Sequence, residues 1–213
     1  MIDVSYMTHM GSDDLVTDAA RVSFNKQASS YGEHQNERLI KFLAREKHIH
    51  PFSHPVATFR CTAPIFVSRQ LAKHQVGATW NEVSRRYIKS TPLYWKPEFF
   101  RAGADDVKQG STSEPHRRSE EFIEDYHDIC IDAIATYNKM IAVGICAEQA
   151  RAILPQGAYT EWVWTGSLLF WSRVYNLRIK PDTQKETRDF AELLGEQMAS
   201  LYPISWKALT DGQ

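Results

Sequence analysis

The sequence predicts an α+β fold, a mixed or antiparallel sheet with long helices in one domain over residues 1–213. Segments of helical period outnumber segments of strand composition, and the two do not alternate regularly enough for a doubly wound sheet. No internal repeat or low-complexity tract interrupts the 213 residues, of which 43% are hydrophobic, enough for one sizeable core.

Residues 2–7 alternate loosely as an opening strand, and Ser12 before Asp13 and Asp14 reads as the N-cap and acidic first turn of a helix reaching Val22. The polar stretch from Asn25 to Gln35 reads as a loop. Leu39, Ile40, Phe42 and Leu43 then form the apolar face of a helix ending near Glu46. Val56 to Thr62, rich in β-branched and aromatic residues, predicts a strand. Pro64 starts a helix over Ile65 to about Val76, and Gly77 ends it. From Lys89 to Arg118, Pro92, Pro97, Pro115, Gly103 and Gly110 mark a long connection with room for one turn of helix.

Phe122, Tyr126, Ile129, Ala133, Tyr137, Met140 and Ile141 recur at three- and four-residue spacing, predicting a long amphipathic helix closed by Gly144. A short helix follows through Leu154, broken by Pro155 and Gly157. Tyr159 to Trp164 has strand composition, Ser167 to Leu177 is helical before Pro181, and Phe190, Leu193, Leu194, Met198 and Leu201 mark the last helix.

The net charge of -1 gives no bulk attraction to nucleic acid or to an anionic membrane, so any basic site must be local. Such a site exists between Ile65 and Arg86, where four Lys/Arg face one Glu, a local +3 that leaves the remainder at -4. Cys61, Cys130 and Cys146 are too scattered for a disulfide framework or a Cys-based zinc site and suit a reducing cytoplasm. The N-terminus lacks the pattern of a signal peptide, and no stretch approaches the ~20 apolar residues of a membrane span. A soluble cytoplasmic protein is expected.

Within the basic segment, Arg69 and Lys73 stand one helical turn apart, with Gln70 and His74 on the neighbouring face. Asn81, Glu82, Ser84, Arg85 and Arg86 follow within seven residues, an amide, a carboxylate, a hydroxyl and two guanidinium groups suited to an anionic, hydrogen-bonding ligand. Arg151, Arg173 and Arg178 lie at or near later helix ends, where a cation either meets the helix dipole or reaches into a cleft. His48, His50 and His54 invite a metal reading, but the repeated strand-helix units of a barrel hydrolase are missing, and no metal site is expected. Neither a Gly-rich phosphate loop nor a nucleophile motif occurs. A non-catalytic single-stranded nucleic-acid binder, using the basic segment and the aromatics, is the alternative to an enzyme.

Taken together, Pro64-Ile65-Phe66-Val67, Arg69-Gln70, Lys73-His74-Gln75, Asn81-Glu82-Val83-Ser84-Arg85-Arg86-Tyr87, Arg151-Ala152-Ile153-Leu154-Pro155 and Asn176-Leu177-Arg178 resemble the flavin-dependent thymidylate synthases over nearly the whole chain. That family's signature is usually Arg-His-Arg, seven residues, then Ser. Here it is Lys73-His74-Gln75, eight residues, then Ser84, a variant branch with less positive charge and a longer loop. Arg173 and Asp182 stand where many relatives have asparagine and histidine.

The resemblance implies reductive methylation of deoxyuridylate (dUMP) to thymidylate. Methylenetetrahydrofolate supplies the carbon, and FAD, reduced by NADPH, supplies the hydride. It implies deoxyuridylate contacts from Gln70, Lys73, Glu82, Ser84, Arg85, Arg86, Arg151 and Arg178, with Arg178 catalytic through charge stabilisation at the uracil. It implies flavin contacts from His50, Ser53, Lys73, His74, Gln75, Glu82, Ser167 and Arg173. It also implies a homotetramer with shared active sites.

Overall fold

In the computed structural model, which describes residues 1–104 and 111–211, one antiparallel sheet carries the helices. Its strands are β1 (Asp3–Met10), β2 (Val56–Pro64), β3 (Ala78–Glu82) and β6 (Tyr159–Ser167), in the spatial order β1-β2-β6-β3. A small hairpin, β4 (Arg101–Gly103) with β5 (Ser111–Pro115), stands apart from it. The helices are α1 (Asp13–Arg21), α2 (Glu33–Arg45), α3 (Ile65–Leu71), α4 (Ser119–Ala142), α5 (Ala147–Ala150), α6 (Leu168–Arg178), α7 (Lys185–Leu201) and α8 (Pro203–Thr210).

Alternation along the two central strands makes one face of the sheet the core. Ala57, Phe59, Cys61 and Ala63 of β2 are fully buried, and Phe59 and Cys61 are register partners of Trp164 and Trp162 on β6. The Phe59 and Trp164 rings meet Trp171 of α6 edge-on at 5.2 and 5.0 Å, and Trp162 stacks on Phe190 of α7 at 5.9 Å. Each such ring withdrawn from water contributes about 2–3 kcal/mol. Trp171 also satisfies its indole by donating to the Ala57 carbonyl at 3.2 Å.

Two local devices position the functional elements. Gly77, at φ +88°, turns the chain from α3 into β3, and its carbonyl accepts the Ser167 N–H at 3.3 Å. Asp13, besides opening α1, accepts the backbone N–H groups of Ile204 and Ser205 at 3.0 and 2.8 Å, satisfying the first turn of α8 from the opposite end of the chain.

The α+β class and the principal helices match the sequence expectation, with several corrections. α3 stops at Leu71, not Val76: Ala72 caps it, and His74 and Gln75 lie in the turn to β3. β3 was hidden because Ala78 to Glu82 mixes polar and aromatic residues, and its pairing with β6, not its composition, makes it a strand. Pro64 closes β2 and acts as N-cap rather than first helical residue. The polar segment 25–35 contains a 3-10 turn (Ala28–Ser30) and the start of α2. Among its described residues the 89–118 connection holds the β4–β5 hairpin and no helix, while Gly110 lies outside them. The strand expected over 2–7 extends to Met10, and α8 follows α7 immediately through Pro203.

Candidate active site

At the C-terminal ends of α3 and α6, Arg178 donates from Nε to His74 Nε2 at 3.0 Å and from Nη2 to the Gln70 carbonyl at 2.9 Å. His74 must therefore accept at Nε2, which leaves its proton on Nδ1. Burial, and secondarily the adjacent Arg178 cation, lower its pKa to about 4. Burial also lowers that of Arg178, which stays charged at any physiological pH. The result is a half-buried, fixed guanidinium beside a neutral imidazole.

Gln70 is held from a different direction. Its Nε2 donates to Gln184 Oε1, and its Oε1 accepts from Thr187 Oγ1 at 3.2 Å. Gln184 Nε2 donates to Glu186 Oε2 at 2.9 Å, and Arg101 grips both Glu186 oxygens at 2.8 and 3.1 Å. Burial alone would raise the Glu186 pKa, but the hydrogen bonds from Arg101 and Gln184 outweigh it and hold the carboxyl below its ordinary value.

A second cluster lines a cleft of about 860 Å³, where Arg69, Glu82, Arg85 and Arg151 converge with Thr160 and Glu161 of β6. Glu82 accepts from Thr160 Oγ1 at 2.6 Å and from Trp80 Nε1 at 3.4 Å. Arg85 donates to the Ser90 carbonyl at 2.5 Å, and Arg151 to the Glu148 carbonyl at 3.3 Å, so both guanidinium groups keep further N–H donors for a ligand. Its three guanidinium groups are balanced by Glu82, Glu148 and Glu161, so the cleft suits a ligand of nucleotide size with both an anionic end and hydrogen-bonding groups.

A third cluster lines a smaller cleft of about 360 Å³, with Ser53, Ser167 and Arg173 around Gly77 and Gly166. Ser167 caps α6 by accepting the Phe170 N–H at 3.2 Å. Two hydroxyls, a guanidinium and the N-terminus of α6 form a donor set that fits a diphosphate. The volume accommodates only part of a dinucleotide.

The expected residues thus separate into Gln70–His74–Arg178, Glu82–Arg85–Arg151 and Ser53–Ser167–Arg173. Lys73 and Gln75 are exposed on the turn before Gly77, and His50 is exposed at the start of the 3-10 turn His50–Ser53. Ser84 anchors a turn, its carbonyl accepting the N–H groups of Tyr87 and Ile88, and Arg86 projects outward over the Tyr87 ring. Sequence reasoning left out Arg101, Gln184, Glu186 and Thr187. Polar residues just before and inside the first turn of a helix read as capping, and Arg101 lies in the long connection. Among the described residues, no group of three or more His, Cys, Asp or Glu is placed to hold a metal ion, and no helix is long and apolar enough to cross a membrane.

An antiparallel α+β scaffold with two arginine-bearing clefts and a preorganised, half-buried arginine suits a nucleotide-binding enzyme. The family profile described as thymidylate synthase complementing protein matches residues 5–204. A flavin-dependent thymidylate synthase of Thermus thermophilus is 33% identical over 208 residues, covering 98% of this chain and 75% of that protein. That of Thermotoga neapolitana is 32% identical over 199 residues, covering 93% and 86%. The crystal structure of the UMP/dUMP methylase PolB from Streptomyces cacaoi, bound with 5-Br dUMP, superimposes with a TM-score of 0.88 at 26% identity, covering 99% of this chain and 95% of that one. The chain belongs to the flavin-dependent thymidylate synthase family.

Proposed function

We propose that the protein, through a single catalytic domain over residues 1–213, methylates deoxyuridylate to thymidylate. Methylenetetrahydrofolate serves as carbon donor and NADPH as the source of reducing equivalents, and bound reduced FAD supplies the hydride. The half-buried Arg178, oriented by His74 and the Gln70 carbonyl, is the observation that carries this reading. A fixed cation aimed by two partners stabilises negative charge developing on an activated uracil without reorganising at the moment of reaction. The neutral His74 keeps Arg178 in place without competing for that charge.

Glu82, Arg85 and Arg151 bind the nucleotide in the larger cleft, joined by Gln70 of α3 and by Lys73, Ser84 and Arg86 outside the helices. Ser53, Ser167 and Arg173 hold the flavin diphosphate, with His50, Lys73, His74, Gln75 and Glu82 completing the contacts. The separation of these groups within one protomer supports a homotetramer with shared sites. So do exposed apolar residues on and after α4, notably Ile129, Ile131, Val143 and Ile145, which are surfaces suited to subunit packing. The free cysteines suit a cytoplasmic setting. No observation favours the nucleic-acid-binding alternative.

The test is a visible absorbance spectrum of the purified protein followed by product analysis. Yellow protein whose reduced flavin is oxidised only when deoxyuridylate and methylenetetrahydrofolate are present, with thymidylate formed, is the expected result. Protein that takes up no flavin and forms no thymidylate would falsify the assignment.

A further inference from the structure

We infer that Thr187, Gln184, Glu186 and Arg101 are positioning residues, which set the orientation of the Gln70 carboxamide and anchor it to the α7 and β4 side of the molecule. The inference rests on the proposed role of Gln70 as a deoxyuridylate contact.

An amide has two N–H donors on one side and an acceptor oxygen on the other, and a half-turn about its last bond exchanges them. Nothing in the Gln70 side chain alone selects one state. Part of the selection is local, since the Phe66 carbonyl accepts from Gln70 Nε2 at 3.4 Å; the rest begins at Arg101, whose two N–H groups face the two Glu186 oxygens. A guanidinium is donor-only and a carboxylate acceptor-only, so this end of the chain has one possible polarity. Glu186 is therefore an acceptor toward Gln184, which must turn its NH₂ group to it and its Oε1 toward Gln70. Gln70 must then present NH₂ to Gln184 and oxygen to the Thr187 hydroxyl, which donates at 3.2 Å.

The polarity passes through four side chains and fixes the amide in one state. Thr187 and Glu186 are buried, only 0% and 4% exposed, so water does not substitute for either partner. The Gln70 backbone carbonyl simultaneously receives Arg178, so the same residue joins this network to the proposed catalytic cation.

The experiment measures deoxyuridylate binding to the flavin-loaded protein by calorimetry, for wild type, Thr187→Val and Thr187→Ser. Valine keeps the shape and loses the hydroxyl, whereas serine keeps the hydroxyl and loses a methyl. The expected result is binding weakened about fivefold in Thr187→Val and close to wild type in Thr187→Ser, the loss of one hydrogen bond's worth of orientation. A purely structural role for Thr187 predicts that melting temperature changes while affinity does not. Equal affinity in Thr187→Val and wild type overturns the inference, as does equal weakening in both variants. A second variant, Glu186→Gln, loses the fixed acceptor and is expected to weaken binding at unchanged flavin content; unchanged affinity there also counts against the network. If wild-type protein binds no deoxyuridylate, the functional reading itself fails.

Discussion

Arg178 and His74, 104 residues apart in sequence, meet at 3.0 Å with the arginine as donor and the imidazole as acceptor. Burial disfavours the charged form of this histidine, and the permanent cation beside it adds to the penalty. The pair is therefore asymmetric: one member carries the charge and the other stays neutral to orient it.

This asymmetry has a measurable pH signature. An unfolded chain protonates His74 near its ordinary value of about 6.5, while the folded protein resists until about 4. Between those values the unfolded state binds more protons, so His74 makes stability fall as pH drops from 6.5 toward 4. In His74→Gln the loss of melting temperature between about pH 7 and pH 5 is expected to be smaller. An undiminished loss would show that His74 is not the titrating group. In Arg178→Ala, an NMR titration should place the His74 pKa higher than in wild type, though burial keeps it below that of a free histidine.

Arg178→Ala should separate catalysis from flavin retention. Arg178 belongs to the cluster at the ends of α3 and α6, whereas Ser53, Ser167 and Arg173 line the diphosphate-sized cleft. Turnover is expected to fall by roughly a hundredfold or more, as for removal of one preorganised donor, with flavin content close to wild type. Stopped-flow oxidation of the reduced enzyme checks it, and unchanged turnover would exclude the proposed role.

How much of this was legible beforehand depended on the range of the interaction. The helices α4 and α7 announce themselves because three- and four-residue periodicity is local. β3 does not, because Ala78 to Glu82 becomes a strand only by pairing with β6, about eighty residues away. The family motif marked Gln70, His74 and Arg178 as candidates, but not that they touch. Arg101, Gln184, Glu186 and Thr187 were invisible for a similar reason: their meaning lies in the order of donors and acceptors across three separate segments.

Gly166 tests the packing of the central strand. A Cβ built at this position overlaps the Phe170 ring, which is only 2% exposed and has little room to move. Gly166→Ala is expected to cost about 1–3 kcal/mol by overpacking, read as a lower midpoint in urea unfolding. A larger residue here should abolish the fold rather than shift it.

Asp13 provides a test of long-range capping. Asp13→Ala leaves the Ile204 and Ser205 N–H groups without their carboxylate, and a loss of about 1–2 kcal/mol is expected. Asp13→Asn keeps one acceptor oxygen and should lose less. Hydrogen exchange should show faster exchange at the first turn of α8 in the alanine variant, with α6 unaffected.

β6 also works as a ruler. Thr160 and Glu161 near its start border the larger cleft, and Thr165, Gly166 and Ser167 at its end border the smaller one. At about 3.3 Å per residue, those ends are held roughly 20 Å apart. Because β2 and β3 clamp the strand from both sides, that span cannot stretch, and inserting one residue would turn Trp162 or Trp164 out of the core. The gauge between the two clefts is thus guarded by the hydrophobic interior, so a sequence that keeps its tryptophans keeps its spacing as well.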